Sequence, residues 1–165
     1  MEERIVSFEA VSAPDARLLI LGTMPSVESL RQEFYYAHPR NAFWPIMAQV
    51  LGEEVPRSVD EKKGLLIRHG IALWDVAHSC IRPGSLDSDI RDAMPNDFAA
   101  LFCVCPQIQK IIFNGATAQK LYKKLVGMPP DGVRCVQAPS TSPAYTLAFE
   151  RKLALWRDEM EGFYV

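Results

Sequence analysis

The residues best suited to chemistry stand together in one polar and aromatic segment, FYYAHPRNAFW, from Phe34 to Trp44. It shows neither helical nor strand periodicity, which is typical of a loop. Its two tyrosines could stack on a flat ring, Arg40 could neutralise a phosphate, and Asn41 could position a water molecule or a base edge. His38 could be an acid or base, but a single histidine before a proline is more often a structural hydrogen-bonding residue. The segment predicts a site for a flat ring that carries phosphate.

Three further segments carry polar groups. GTMPS, from Gly22 to Ser26, holds a rigid proline corner that can direct backbone N–H groups at a carbonyl or phosphate, although it matches no phosphate loop or dinucleotide fingerprint. APSTSPA has three consecutive hydroxyls, Ser140, Thr141 and Ser142, before a predicted helix whose N-terminus would favour an anion. A hydroxyl-rich helix cap is the structural alternative. Asp75 ends an apolar run and is either an acceptor for a base edge or a capping residue.

These segments must be positioned by the elements around them. Four short apolar runs have the composition of buried strands: RLLILG, GIALWDV, KIIFNG and VRCVQAP. Between them, SVDEKKGLLIRHG opens with a capping box of Ser58 and Glu61 and ends at Gly70. ATAQKLYKKLVG has one apolar face at helical spacing. SPAYTLAFERKLALWRDEMEG is predicted to begin with Ser142 as the N-cap and Pro143 at the first helical position.

The alternation of strands and helices predicts βαβ units. The fold expected is a three-layer α/β/α sandwich with a central four-stranded, mainly parallel sheet. Sheets of this kind place their sites in loops beyond the carboxyl ends of the strands. The loops expected there are GTMPS, WDVAHS, NGAT and APSTSPA.

Composition narrows the classes of protein. The 165 residues are 48% hydrophobic and 23% charged, which is ordinary for a globular chain and predicts a single domain over residues 1–165. The net charge of −2 argues mildly against a non-specific nucleic-acid binder, but leaves room for a local basic patch. The four cysteines lack zinc-site spacing. No signal-peptide core or membrane-length apolar run is present, so a soluble, cytoplasmic protein without a membrane partner, metal or cofactor is expected.

Three of the quoted segments resemble motifs of the uracil-DNA glycosylase superfamily. LLILGTMPS resembles its first motif, a strand followed by a Gly-x-x-Pro loop. YYAHPRNAFW is similar to the segment that follows this motif in mismatch-specific uracil glycosylases. APSTSPA stands in the place of the second motif, a Pro-Ser loop leading into a helix. The combination most resembles the hypoxanthine-DNA glycosylase (deoxyinosine glycosylase) branch, over nearly the whole chain.

Two departures from the family pattern shift the expected chemistry. Met24 stands where many members have an Asp or Asn that activates water, and Ala138 stands where they often have His or Asn. Neither side chain can do that work. The resemblance therefore implies that Asn41 is the catalytic residue, as in the hypoxanthine branch. Tyr36 aligns with the aromatic residue that stacks on the base, and Asp75 aligns with the strand-end residue that reads the base.

The resemblance implies a DNA glycosylase that hydrolyses the N-glycosidic bond of a flipped deaminated purine and so initiates base excision repair. The base is hypoxanthine in deoxyinosine, with xanthine as a further substrate. The residues implied to bind the base are Gly22, Thr23, Met24, Tyr36 and Asp75. Those implied to contact DNA are Ser26, Arg40, Ser140, Thr141 and Ser142, with Pro143 or Tyr145 as the wedge. Because the motifs contain no lysine, the enzyme is expected to be monofunctional. The expected partner is double-stranded DNA, bound by a monomer, in the nucleoid of a prokaryote.

Two alternatives remain open at this point. One is a mismatch-type glycosylase acting on uracil or ethenocytosine, against which Met24 weighs. The other is a DNA- or nucleotide-binding module without catalysis, against which Asn41 weighs.

Overall fold

The computed structural model describes residues 3–165, whose strands form two separate sheets. The strands are β1 Arg4–Val6, β2 Leu18–Gly22, β3 Ile71–Asp75, β4 Ala77–Ile81, β5 Arg91–Pro95, β6 Lys110–Asn114 and β7 Arg134–Ala138. The helices are α1 Val27–Gln32, α2 Phe43–Leu51, α3 Val59–Arg68, α4 Phe98–Val104, α5 Ala116–Leu125 and α6 Phe149–Met160, with a 3-10 turn at Asp87–Asp89. No helix within residues 3–165 has the length and apolar character needed to cross a bilayer.

The central sheet consists of the four predicted apolar runs. Its strand order is β3-β2-β6-β7, and every neighbouring pair is parallel, which confirms the predicted sheet. The register brings the carboxyl ends of the strands into line, with Gly22 opposite Asp75 and Asn114 opposite Ala138. One edge of the sheet therefore collects the residues that follow four strands, as expected for a parallel sheet.

Both faces of this sheet are buried. Leu18 and Ile20 of β2 point into a core covered by α2, α3 and α6. Leu19 and Leu21 point to the opposite face and pack under α4 and α5. Because successive strand residues face opposite sides, an unbroken apolar run needs a helical layer on each side. The three-layer prediction is confirmed.

Helices α3 and α5 lie where the sequence predicts them, and the start of α6 does not. The capping box of α3 is present: Ser58 Oγ accepts from Glu61 N at 3.0 Å, and Glu61 Oε2 accepts from Ser58 N at 3.1 Å. The predicted start of the last helix is wrong, because α6 begins at Phe149. Ser142 Oγ instead accepts from Ala144 N at 3.2 Å, and this local turn competes with helix formation.

The second sheet was not predicted. It is antiparallel, with strand order β1-β4-β5, and only Val76 separates β3 of the central sheet from β4 of this one. The AHS of WDVAHS, expected to belong to a loop, is therefore the start of a strand. Helices α1, α2 and α4 were also missed. The second sheet carries residues 82–90, which form one wall of the cavity described next.

Candidate active site

A cavity of about 270 Å³ opens at the carboxyl ends of the central strands. The predicted site residues that line it are Gly22, Thr23, Met24, Ser26, Tyr36, Asn41, Asp75, Ser140, Thr141 and Ser142. Arg40 is exposed and lies outside the lining. The structure thus brings ten of the eleven predicted residues to one place, and their roles remain predictions.

Asp75 lies on the floor of the cavity, at the last position of β3. The residue is only 2% exposed, and its Oδ2 accepts a hydrogen bond of 2.9 Å from Ser7 Oγ. Burial raises the pKa of Asp75 to about 7. The Ser7 hydrogen bond opposes that rise, the charge of Asp87 adds to it, and the charge of Arg82 opposes it. Near neutral pH the carboxyl group is therefore divided between its neutral and ionised forms.

Tyr36 approaches Asp75 from the loop before α2. Its backbone is left-handed, with φ of 53°, and its ring stacks on Phe43 with centroids 4.2 Å apart. Its buried hydroxyl makes no hydrogen bond to the described part of the chain. Burial, with the nearby Asp75 carboxylate, raises the pKa of Tyr36 far above its ordinary value, so the phenol keeps its proton.

Gly22 is required by this approach. A Cβ atom at Gly22 would lie 2.7 Å from both Asp75 Oδ1 and the Tyr36 hydroxyl. These distances are too short for van der Waals contact, so the strand end accepts both groups only because no side chain stands there.

Asn41 lies on the cavity wall in a fixed orientation. Its Oδ1 accepts from Phe43 N at 3.0 Å, and its backbone N–H donates to His38 O at 2.9 Å. Its Nδ2 donates no hydrogen bond within residues 3–165, and the carbonyl oxygen keeps a second lone pair. The side chain can therefore orient a water molecule. His38 Nδ1 accepts from Arg40 N at 3.1 Å, in keeping with a structural role.

The GTMPS loop offers backbone donors rather than side chains. The backbone N–H groups of Thr23 and Met24 donate no hydrogen bond to the described residues. The Thr23 hydroxyl donates to Asp87 at 2.7 Å, and the Met24 side chain is buried against Ala77 and Cys80. Ser26 is the N-cap of α1. What remains for a ligand is a pair of free amide donors.

The 140–142 loop is held by Asn114, the last residue of β6. Asn114 Nδ2 donates to Thr141 Oγ1, and Thr141 N donates to Asn114 Oδ1, each at 2.9 Å. Thr141 is 1% exposed, so its hydroxyl holds the loop and is not available to a phosphate. Ser140 and Ser142 are the hydroxyls that remain near the cavity mouth.

Lys152 of α6 supports the same loop from behind. Its Nζ donates to Ser142 O at 3.0 Å and lies 5.5 Å from the centre of the Tyr145 ring. Burial lowers the pKa of Lys152. Tyr145 remains 49% exposed at the rim of the cavity. The buried ammonium thus fixes a carbonyl and an aromatic ring at the mouth of the site.

Three residues of the site escaped the sequence reasoning. Asn114 ends a strand just as Asp75 does, so the same criterion would have found it in the NGAT loop. Ser7 and Asp87 carry no local signal, because the second sheet brings them to the cavity. Only the tertiary structure reveals them.

Comparison with known proteins identifies the relatives of this chain. A family model described as the uracil DNA glycosylase superfamily matches residues 9–160. A protein of Methanosarcina acetivorans named hypoxanthine DNA glycosylase is 39% identical over 138 residues, covering 83% of this chain and 85% of that protein. A protein of Methanosarcina barkeri with the same name is 36% identical over 110 residues, covering 66% of this chain and 69% of that protein. The solution NMR structure of a candidate uracil DNA glycosylase from Methanosarcina acetivorans has a TM-score of 0.78 and 33% identity, and covers 96% of this chain and 100% of that chain.

Proposed function

Because the chain belongs to the uracil DNA glycosylase superfamily, we propose that its cavity receives a hypoxanthine base flipped out of double-stranded DNA. The protein is a DNA glycosylase, a hydrolase of the N-glycosidic bond of deaminated purines. Two relatives at 36–39% identity bear the name hypoxanthine DNA glycosylase. The observation that carries the assignment of residues is that Asn41, Asp75, Thr23 and Met24 line one cavity, the last two with amides that donate to none of the described residues.

Recognition of the base rests on Asp75 and the GTMPS loop. The ionised carboxylate of Asp75 accepts the N1–H of hypoxanthine, which adenine lacks. The free backbone amides of Thr23 and Met24 donate to the base carbonyl. A buried acceptor without a donor is costly, so adenine is rejected. Tyr36 stacks on the flipped base with the face of its ring that Phe43 leaves free.

Hydrolysis follows from the same positions. The bond between C1′ and the base breaks as the sugar becomes oxocarbenium-like, and the amides stabilise the electron pair that leaves with the base. The oxygen of a water molecule held by Asn41 then bonds to C1′ and releases one proton to solvent, and the departing hypoxanthine anion takes up one proton from solvent. Asn41 is too weak a base to remove that proton, so positioning and charge stabilisation supply the rate. The products are free hypoxanthine and an abasic site.

The DNA backbone is held at the mouth of the cavity. Ser140, Ser142 and the exposed Arg40 contact phosphates on either side of the flipped nucleotide, and the N-cap Ser26 lies beside them. Tyr145 stands at the rim, where it fills the gap that the base leaves. One copy of the chain acts on one lesion in the nucleoid.

The test is strand cleavage by alkali after incubation with duplexes that contain deoxyinosine, deoxyxanthosine or deoxyuridine. Asn41→Ala is expected to slow deoxyinosine excision by about 100-fold or more, because it removes the group that orients water. Ser58→Ala is the matched control. Ser58, like Asn41, accepts a hydrogen bond from a backbone N–H at the start of a helix, but it does not line the cavity. Its removal should cost about 1 kcal/mol of stability and leave excision unchanged.

The outcomes separate the competing interpretations. Full activity in Asn41→Ala would remove Asn41 from the mechanism. Faster release of uracil than of hypoxanthine by the unaltered protein would favour a mismatch-type uracil enzyme. No cleavage of any substrate would favour a binding module.

A further inference from the structure

Ser7 forms a hydrogen bond with one of the two carboxylate oxygens of Asp75. Its hydroxyl donates to Asp75 Oδ2 at 2.9 Å, so one carboxylate oxygen is occupied from below. Asp75 Oδ1 accepts no hydrogen bond from the described part of the chain and lies next to Gly22. One carboxylate oxygen is therefore already engaged by Ser7, and Oδ1 is the oxygen without a partner among the described residues.

The position of Ser7 is fixed by its neighbours along the chain. Its backbone N–H donates to His78 O at 2.8 Å. The next carbonyl, of Phe8, accepts from Trp74 Nε1 at 3.0 Å, and that of Glu9 accepts from the Tyr35 hydroxyl at 2.8 Å. Three consecutive residues of the amino-terminal segment are thus tied to the floor and wall of the site.

A carboxylate with one oxygen already engaged can distinguish two purines that differ by one donor group. On the edge that faces Asp75, hypoxanthine has one donor, N1–H, beside an apolar C2–H. Guanine has N1–H and, next to it, the two N–H bonds of its 2-amino group. A carboxylate with both oxygens free binds such a pair of donors side by side, much as it binds the two arms of a guanidinium. Without the Ser7 hydrogen bond, Asp75 would therefore favour guanine, which is a normal base.

We propose that Ser7 is a specificity-determining residue that occupies one oxygen of Asp75 and so makes the site accept hypoxanthine and reject guanine. The 2-amino group of guanine would have to share Asp75 Oδ2 with the Ser7 hydroxyl, which already donates to that oxygen. Guanine would therefore bury an amino group whose acceptor is already engaged, at a cost in free energy that hypoxanthine, with C2–H at that place, does not bear. This inference rests on the proposed excision of hypoxanthine and on Asp75 as the group that reads the base.

The same contact affects the ionisation of Asp75. The charged and titratable groups around the carboxyl are Asp87 and Arg82 from the second sheet and the phenols of Tyr35 and Tyr36 from the loop. The Ser7 hydroxyl lowers the pKa of Asp75 against the effect of burial. Loss of the hydroxyl should move the acid limb of the pH–rate profile to higher pH, because the ionised acceptor is then harder to form.

The experiment compares deoxyinosine and deoxyguanosine in the same sequence, each opposite thymine, so that both bases leave a mispair at a similar flipping cost. Single-turnover excision rates are measured for the unaltered protein and for Ser7→Ala, Ser7→Cys and Ser7→Thr. Ser7→Ala should lower the ratio of deoxyinosine to deoxyguanosine excision by about tenfold or more, the worth of one hydrogen bond to a charged group. Ser7→Cys keeps the side-chain size and should also lower the ratio. Ser7→Thr keeps the hydroxyl and should preserve it.

Each result bears on the proposal. A lowered ratio together with a displaced acid limb supports it, and thermal unfolding identifies any variant that has merely lost its fold. An unchanged ratio in folded Ser7→Ala or Ser7→Cys, with deoxyinosine still excised, would overturn the role of Ser7 and leave the proposed function standing. Absence of deoxyinosine excision by the unaltered protein would overturn the proposed function itself.

Discussion

Substitution of Gly22 by alanine should separate the fold from the chemistry of the site. The added Cβ would lie 2.7 Å from both Asp75 Oδ1 and the Tyr36 hydroxyl, so both groups must retreat by several tenths of an ångström. Neither moves freely, because Asp75 is bonded to Ser7 and the Tyr36 ring is stacked on Phe43. Overpacking of this kind costs about 1–3 kcal/mol of unfolding free energy.

The loss of activity should be larger than the loss of stability suggests. Displacement of a positioned group by roughly 1 Å can cost about 100-fold in rate, and here two such groups move together. Excision of hypoxanthine under single-turnover conditions measures the rate, and urea unfolding measures the stability. Gly84→Ala is the matched control, since its Cβ would meet nothing within 4 Å, and its unfolding free energy should change by less than about 0.5 kcal/mol. Excision by Gly22→Ala at the unaltered rate would refute the proposal that Asp75 and Tyr36 hold the base.

Two further predictions follow from the titratable groups of the site. The kcat/KM for deoxyinosine should rise with pH through about 7 and level off above it, because Asp75 must be ionised to accept N1–H, and Asp75→Asn should abolish this limb. Because the pKa of Asp75 is raised in the folded state, the contribution of this group to the free energy of unfolding is greatest at low pH and is lost as the pH rises towards 7. The free energies of unfolding in urea at about pH 5 and about pH 8 should therefore differ less for Asp75→Asn than for the unaltered protein. Lys152→Met should raise KM about tenfold and leave kcat nearly unchanged, because it frees the Ser142 carbonyl that orders the DNA-binding turn, and Lys152→Arg should recover part of the loss. A fall in kcat alone for Lys152→Met would contradict that assignment.

The central sheet is predictable from the sequence because its strands are buried on both faces. A run such as Leu18–Gly22 contains no polar residue, and such an unbroken apolar run is typical of a strand buried on both faces of a parallel sheet. Helix α2 was missed even though a local signal exists. Asn41 caps Phe43 N, and Pro45 falls in the first turn, where a missing N–H costs nothing. The aromatic residues before this start show no helical periodicity, so the sequence pattern does not indicate the helix.

The remaining elements depend on contacts that no local pattern contains. The strands β1, β4 and β5 are short and mixed in polarity, and they exist because they pair with one another. Ser7 and Asp87 reach the cavity through that pairing, over sequence separations of 68 residues to Asp75 and 64 residues to Thr23. In the last helix, the local propensity of Ser142 and Pro143 for a helix start was overridden by the turn that Lys152 stabilises.

The tryptophans give this site a built-in optical signal. The chain has three, and each indole N–H donates to a backbone carbonyl. Trp44 donates to Tyr35, which lines the cavity, Trp74 to Phe8, which follows Ser7, and Trp156 to Pro139, which precedes Ser140. The indole emission depends on the polarity and hydrogen bonding around the ring. Base insertion, loop ordering and product release should therefore each change the intrinsic fluorescence of the unlabelled protein. Stopped-flow fluorescence can then time these steps separately from the breaking of the glycosidic bond.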